Sequence, residues 1–309
     1  MPLESFRLSG DGPVIFLKRF QDTTNLWISH VLHCKVQTLC IINHDDDREP
    51  IALKLHRRHF TSSYLKRLHL CYVRVGRRFL RKLLSDCSAL EDLEMKNCEI
   101  FATKFSSATL KNLSIDYVDF PELETHESFI DIVLNMPSLV SLHIGSLLCP
   151  KLILVEVQSL VTASISFGYT QSVTLADACD YLGALSNVKN LELLIKDDVL
   201  CRTVFTNLTT LSLSTWCLHD DCKVLLYMLE RSPNLELLAL KLENWFPGAA
   251  AQMKPPSETT EPFTCEKLKK IEIICPKRIK GVGMLVTILF ANIISPPEIN
   301  IKPLSGYSL

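Results

Sequence analysis

A six-residue pattern, Leu-x-x-Leu-x-Leu with apolar substitutes, recurs along this chain and constrains its fold more than any other feature. Clear copies are Leu65/Leu68/Leu70, Leu90/Leu93/Met95, Leu110/Leu113/Ile115, Leu139/Leu142/Ile144, Leu208/Leu211/Leu213, Leu235/Leu238/Leu240 and Leu268/Ile271/Ile273, with Val188/Leu191/Leu193 close to them. Weaker copies fill the gaps at Leu3/Phe6/Leu8, Val36/Leu39/Ile41 and Leu160/Ala163/Ile165. The second and third apolar residues of a copy are two apart, so they share one face of a short strand, and the first turns inward from the loop before it. One copy cannot close a core by itself. Stacked copies can, because each strand pairs with its neighbours and the apolar residues form a continuous ladder.

The ten steps between Leu3 and Leu268 average about 26.5 residues, within the range of leucine-rich repeats. The expected fold is α/β: a leucine-rich-repeat solenoid with a curved parallel sheet on its concave face and irregular helices on its convex face. Long steps have room for helices. Apolar residues at three- and four-residue spacing place them over 76–87, 126–136 and 219–232, with Pro137 and Pro233 stopping two of them. Short steps leave room only for an extended return. The array reads as residues 1–243. Residues 244–263 carry four prolines, Gly248 and no apolar period, and read as an exposed loop. Residues 264–309 read as the last repeat and a C-terminal cap. The polar stretch 43–50 is a shorter excursion of the same kind as the long loop.

A chain of 309 residues that is 47% hydrophobic has ample material for such a core, and a net charge of −1 argues against a general polyanion binder. The most apolar segment, Met284 to Ile294, falls short of the roughly 20 residues a membrane span needs. Glu4 and Arg7 stand where a signal peptide would need an apolar run, so the expected location is intracellular, in cytoplasm or nucleus. The twelve cysteines include no Cys-x-x-Cys pair, and Cys34/Cys40 and Cys217/Cys222 lack further ligands at zinc spacing. Most of them read as reduced core thiols. Cys98 occupies the ninth position of its repeat, where a small residue turns the chain out of the strand.

The opening LESFRL, the tryptophan-led LWISHVLHCKVQTLCI, the repeats SYLKRLHLCYV and ALEDLEMKNCEI, the segment MLERSPNLELLALKL and the final FTCEKLKKIEI together resemble plant F-box/leucine-rich-repeat proteins with an FBD-like C-terminal module. The resemblance covers nearly the whole chain and implies a substrate receptor for a Skp-cullin-F-box ubiquitin ligase. The F-box is a short helical module that opens near a Leu-Pro and docks on a Skp-type adaptor. No Leu-Pro dipeptide occurs in this sequence. Adaptor binding is therefore expected only where an upstream F-box is present in the full gene product. The alternative is a stand-alone interaction scaffold without ligase association.

Residues between the inward rungs should point out of the concave face. They are Arg67 and His69, then Asp92 and Glu94, then Asn112 with Ser114, then Ser141 and His143, followed by Thr162, Asn190 and Thr210 in the later repeats. This is a polar, protein-binding surface. Nothing in it gathers the Lys and Arg that hold an inositol phosphate in some hormone receptors of the wider family, and no cofactor is expected. Residues 51–82 hold ten Lys or Arg and no acid, whereas 83–135 hold eleven acids and three bases. The basic stretch reads either as a grip for an acidic or phosphorylated partner segment or as a solvated convex face. No nucleic-acid reading module accompanies it. The sequence contains no GxSxG elbow, phosphate loop or HExxH, and the chain reads as a binding protein with no enzymatic site.

Overall fold

A computed structural model describes residues 4–10, 17–43, 53–55, 60–116, 132–147, 152–167, 180, 182–194, 202–214, 222–242, 263–276, 282–294 and 297–303. The expected loop 244–263, apart from Phe263, and the polar stretch 44–50 lie outside the described residues. The described residues divide into two compact units, 4–160 and 161–303.

In the first unit the main sheet is built from β1 (Ser5–Gly10), β2 (Thr38–Asn43), β4 (Arg67–Cys71), β6 (Asp92–Lys96), β9 (Asn112–Asp116) and β11 (Ser141–Leu147), all parallel and adjacent in that order. Rung pairs with rung. Leu39 stands opposite Leu68, Leu93, Leu113 and Leu142 in turn, and Ile41 opposite Leu70, Met95, Ile115 and Ile144. All ten are at most 1% exposed, as the period of two requires of a sheet with one covered face. Their chain neighbours point to the opposite, polar face.

Two backbone devices set each rung. Before β4, β6, β9 and β11 the chain makes a tight turn that lends the anchor's N–H a partner three residues back. That partner is a carbonyl at Cys87→Leu90 and Met136→Leu139, and the side-chain oxygen of buried Ser62 or Ser107 at Leu65 and Leu110. The next two N–H groups then converge on one carbonyl of the preceding repeat: Lys66 and Arg67 on Gln37, Glu91 and Asp92 on Lys66, Lys111 and Asn112 on Glu91, Val140 and Ser141 on Lys111.

The backs of these repeats carry β3 (Leu53–Lys54), β5 (Val73–Gly76) and β7 (Glu99–Phe101) as one small parallel sheet, and β8 (Lys104–Ser106), β10 (Ile132–Asn135) and β12 (Leu152–Val155) as another. Tyr72 and Asn97, 25 residues apart, take left-handed backbone angles (φ 54° and 50°) at the two corners where the chain leaves β4 and β6. Strand β10 corrects the helix expected over 126–136. Residues 126–131 lie outside the described residues, but Ile132–Asn135 pairs on both sides, and Val133 N–H reaches Thr103 C=O at 2.8 Å. Ile-Val-Leu fits a pleated surface, and two open neighbouring edges outweigh a short helical period. The expected helix at 76–87 forms as α2 (Arg77–Asp86), burying Phe79, Leu80, Leu83 and Leu84, with Phe79 edge-on to Phe60 at 4.7 Å. Helix α1 (Leu17–His33) buries Ile28, Val31 and Leu32 and exposes Leu26 and Trp27.

Cys98 is buried as expected, its thiol donating towards Leu70 C=O at 3.4 Å and Lys96 C=O at 3.3 Å. Desolvation pushes its pKa up to about 12, which makes it an inert structural thiol.

The second unit repeats the arrangement with β13 (Thr162–Phe167), β14 (Asn190–Leu194), β15 (Thr210–Ser214), β16 (Leu237–Lys241), β18 (Lys270–Cys275) and β20 (Glu298–Pro303), parallel and in that order. Its back carries α3 (Lys223–Glu230), α4 (Val282–Asn292) and the paired β17 (Phe263–Thr264) and β19 (Ile293–Ile294). Helix α3 lies within the expected segment 219–232 and buries Val224, Leu225, Met228 and Leu229. Strand β20 was not legible as a repeat, having no Leu-x-x anchor of the usual form. Among the described residues no helix is long and apolar enough to cross a membrane.

Candidate functional site

Because the rungs take the inward positions, the polar face of the first unit presents two columns of side chains running across the strands. The first holds Thr38, Arg67, Asp92, Asn112 and Ser141. The second holds Cys40, His69, Glu94, Ser114 and His143. Nine of these ten, all but Cys40, line one open groove of about 410 Å³. Eight of the eleven residues expected on the concave face from sequence are thus brought together: Arg67, His69, Asp92, Glu94, Asn112, Ser114, Ser141 and His143. The other three lie in the second unit, where Thr162, Asn190 and Thr210 stand side by side on β13, β14 and β15. There the Asn190 amide donates to Thr162 Oγ1 at 3.3 Å. Thr38 was missed because its repeat is a weak copy of the pattern.

Charge on this face is matched across repeats. Arg67 Nε donates to Asp92 Oδ2 at 3.1 Å, and the other carboxylate oxygen accepts from the Asn112 amide. His69 Nδ1 and Glu94 Oε2 are 2.7 Å apart. Off the face, Arg74 Nε donates to Glu99 Oε2 at 2.6 Å. These three pairs all join residues 25 apart, so the basic run of one repeat meets the acidic run of the next. Lys111–Glu91 at 2.9 Å and Lys96–Asp116 at 3.9 Å continue the scheme one repeat on. The Lys111 ammonium, by its hydrogen bond and then its charge, holds the Glu91 carboxyl below the usual range. Most of these side chains are half in water, so each pair contributes about 0–1 kcal/mol. Their larger effect is on register, since a slip by one residue would turn every charge to the wrong face. Two of the ten basic residues of 51–82, Arg67 and Arg74, are matched in this way to acids of the next repeat. Arg78 and Arg81 on α2 are exposed, with no ion-pair partner among the described residues.

What the groove leaves free is neutral and polar. The side chains of Thr38, Ser114, Ser141 and His143 have no hydrogen-bond partner among the described residues. Gly145 on β11 has a specific reason to be glycine: a Cβ there would lie 2.0 Å from Asp116 Oδ1 and 3.3 Å from His143 Nε2. The Asp116 carboxylate lies over that glycine and sets an acidic group beside the imidazole. The groove therefore offers hydroxyl donors and acceptors, an imidazole and paired charges in two columns whose members step about 4.8 Å from strand to strand. That is a surface suited to the mixed polar groups of a protein chain. Among the described residues no group of three or more His, Cys, Asp or Glu could hold a metal ion.

In the second unit the polar face centres on Glu192 and Glu272. Glu192 accepts from Ser164 Oγ at 3.0 Å and from Lys241 Nζ. Glu272 lies between Lys270 at 2.5 Å and Lys302 at 2.9 Å, and these two hydrogen-bonded ammonium groups lower its pKa. Ser212 Oγ is buried there without a partner among the described residues.

The family model described as "At1g61320/AtMIF1, LRR domain" matches residues 53–295. The chain belongs to this leucine-rich-repeat family. Similar proteins of Arabidopsis thaliana include the putative F-box/LRR-repeat protein At4g00320, 30% identical over 195 residues (57% of this chain, 38% of the relative). F-box/LRR-repeat protein At3g60040 is 32% identical over 178 residues, covering 54% of this chain and 38% of the relative. The putative FBD-associated F-box protein At5g56390 is 31% identical over 189 residues, covering 57% and 41%. The matched region spans about two fifths of the length of these curated relatives. What the chain shares with these plant F-box/LRR-repeat and FBD-associated F-box proteins is sequence in the leucine-rich-repeat region.

Proposed function

We propose that the polar face of the first unit recognises protein substrates on behalf of a Skp-cullin-F-box ubiquitin ligase, in the cytoplasm or nucleus. The observation that carries this reading is the groove itself. It gathers eight side chains expected on a binding face from the repeat register alone, and its unpaired groups are the hydroxyls and imidazole that hydrogen-bond to peptide groups. The F-box/LRR-repeat and FBD-associated F-box names of the relatives supply the ligase context. Arg67, His69, Asp92, Glu94, Asn112, Ser141 and His143 are the contact residues of the first unit. Thr162, Asn190 and Thr210 extend the contact set in the second. Docking on a Skp-type adaptor requires an upstream F-box in the full gene product.

Proximity labelling in intact plant cells, with the full gene product as bait, tests this. Proteins labelled by the wild type and lost with a groove variant should accumulate when cullin-RING activity is blocked. A labelled set whose abundance ignores cullin-RING inhibition would replace the ligase reading with that of a stand-alone scaffold.

A further inference from the structure

Strand β20 closes the order of the second unit's main sheet and is hydrogen-bonded to β18 alone. Its outer row of backbone N–H and C=O groups is an open edge among the described residues. The rung column is open there too. Ile299 and Ile301 stand opposite Ile271 and Ile273, which are fully buried, yet Ile301 is 56% exposed. Two further large apolar side chains of the same repeat, Phe290 at 55% and Ile294 at 52%, are also exposed. Among the described residues this apolar rung has no cover.

The sequence of this edge is symmetric. From Pro297 to Pro303 it reads Pro-Glu-Ile-Asn-Ile-Lys-Pro. Set antiparallel to a second copy of itself with Asn300 on the two-fold axis, Glu298 of one strand faces Lys302 of the other, Ile299 faces Ile301, and Asn300 faces Asn300. Opposite charges meet at both ends, and apolar residues share the core side. The prolines, which have no N–H to give, face each other and fence the pairing to five residues. A slide of two residues in either direction would break the Glu298–Lys302 match, and a slide of four would set a Glu298 or a Lys302 against its own copy. The Asn300 amide donates to Glu298 at 3.1 Å and Lys302 Nζ to Glu272 at 2.9 Å, so the charged side chains are already laid along the polar face.

We infer that β20 is a self-recognition edge: two copies of this chain pair their β20 strands antiparallel about Asn300 and form an isologous dimer. The partner is a second copy rather than an unrelated strand because the charge pattern is complementary to itself.

Sedimentation velocity on the full chain over a hundredfold concentration range tests the inference. The expected result is a reversible shift from the 35.0 kDa chain to about twice that mass. Glu298→Lys or Lys302→Glu alone should weaken the dimer at least tenfold, and the double exchange should restore it. Ile301→Lys should abolish it without moving the far-UV circular dichroism, since the side chain already faces water. With Cys34→Ser as background, Asn300→Cys should cross-link to itself on oxidation, because directly opposed strand residues stand within disulfide reach. A monomer at every concentration overturns the inference. So does a dimer that survives Ile301→Lys, a dimer whose Asn300→Cys form fails to cross-link, or a mass that grows without limit through head-to-tail stacking.

Discussion

Replacing Leu113 by Ala tests the stacking most sharply. Leu113 is the inner rung of β9, 1% exposed, between Leu93 on β6 and Leu142 on β11 in direct register. The substitution removes three carbons, about 2.4 kcal/mol at roughly 0.8 kcal/mol per buried CH₂. The cavity adds to this, because flanking rungs held by backbone pairing on both sides cannot collapse into it, so the expected total is about 3–5 kcal/mol. Val140→Ala, 27 residues along and 40% exposed, is the matched control and should cost less than about 1 kcal/mol. Urea denaturation followed by circular dichroism reads both. Nearest-neighbour coupling further predicts that the Leu113→Ala transition broadens or splits, since a weakened rung uncouples the repeats on either side. Similar small losses for the two variants would refute the idea that the ladder carries the stability.

Three more outcomes follow from particular groups. Arg67→Glu should change stability by no more than about 1 kcal/mol, because an exposed ion pair contributes little, and a double-mutant cycle with Asp92→Arg should recover most of that. Because the Glu272 carboxyl is lowered in the folded state by Lys270 and Lys302, its contribution is present above the ordinary carboxylate pKa and is lost as pH falls through the lowered one. Stability profiles of wild type and Glu272→Gln should therefore converge at acid pH and diverge at neutral pH. Iodoacetamide with mass-spectrometric mapping should label exposed Cys34 in the native protein, while Cys98, buried and with its thiol pushed up to about 12, should react only after unfolding.

The rungs were legible in the sequence because burial enforces a period of two inside each strand, and every anchor from Leu65 to Leu268 leads into a parallel strand two residues later. The polar columns followed from the same alternation. The backs of the repeats were less legible. A segment such as Ile132–Asn135 has no pattern that separates a short helix from a strand, and its form is set by edges offered by β8 and β12, far away in the chain. Cross-repeat ion pairs were hidden for a different reason. Charge runs 51–82 and 83–135 look like two surface patches until the spacing of 25 residues matches Arg67 and Arg74 to acids of the next repeat. Strand β20 escaped because its repeat replaces the leucine anchor with Ser295-Pro296-Pro297, although the alternation Glu-Ile-Asn-Ile-Lys was there to be read.

Recognition of partners by the polar groove of the first unit is tested directly by one comparison. Partner capture by proximity labelling should be measured for Ser114→Arg/Ser141→Arg, which fills the groove from two adjacent strands, and for Arg78→Glu/Arg81→Glu on α2, with equal folding of both confirmed by circular dichroism. The expected result is at least a tenfold loss of labelled partners for the groove variant and a wild-type set for the helix variant. Retention of partners by the groove variant, with loss from the helix variant, would contradict it and move recognition to the basic helix.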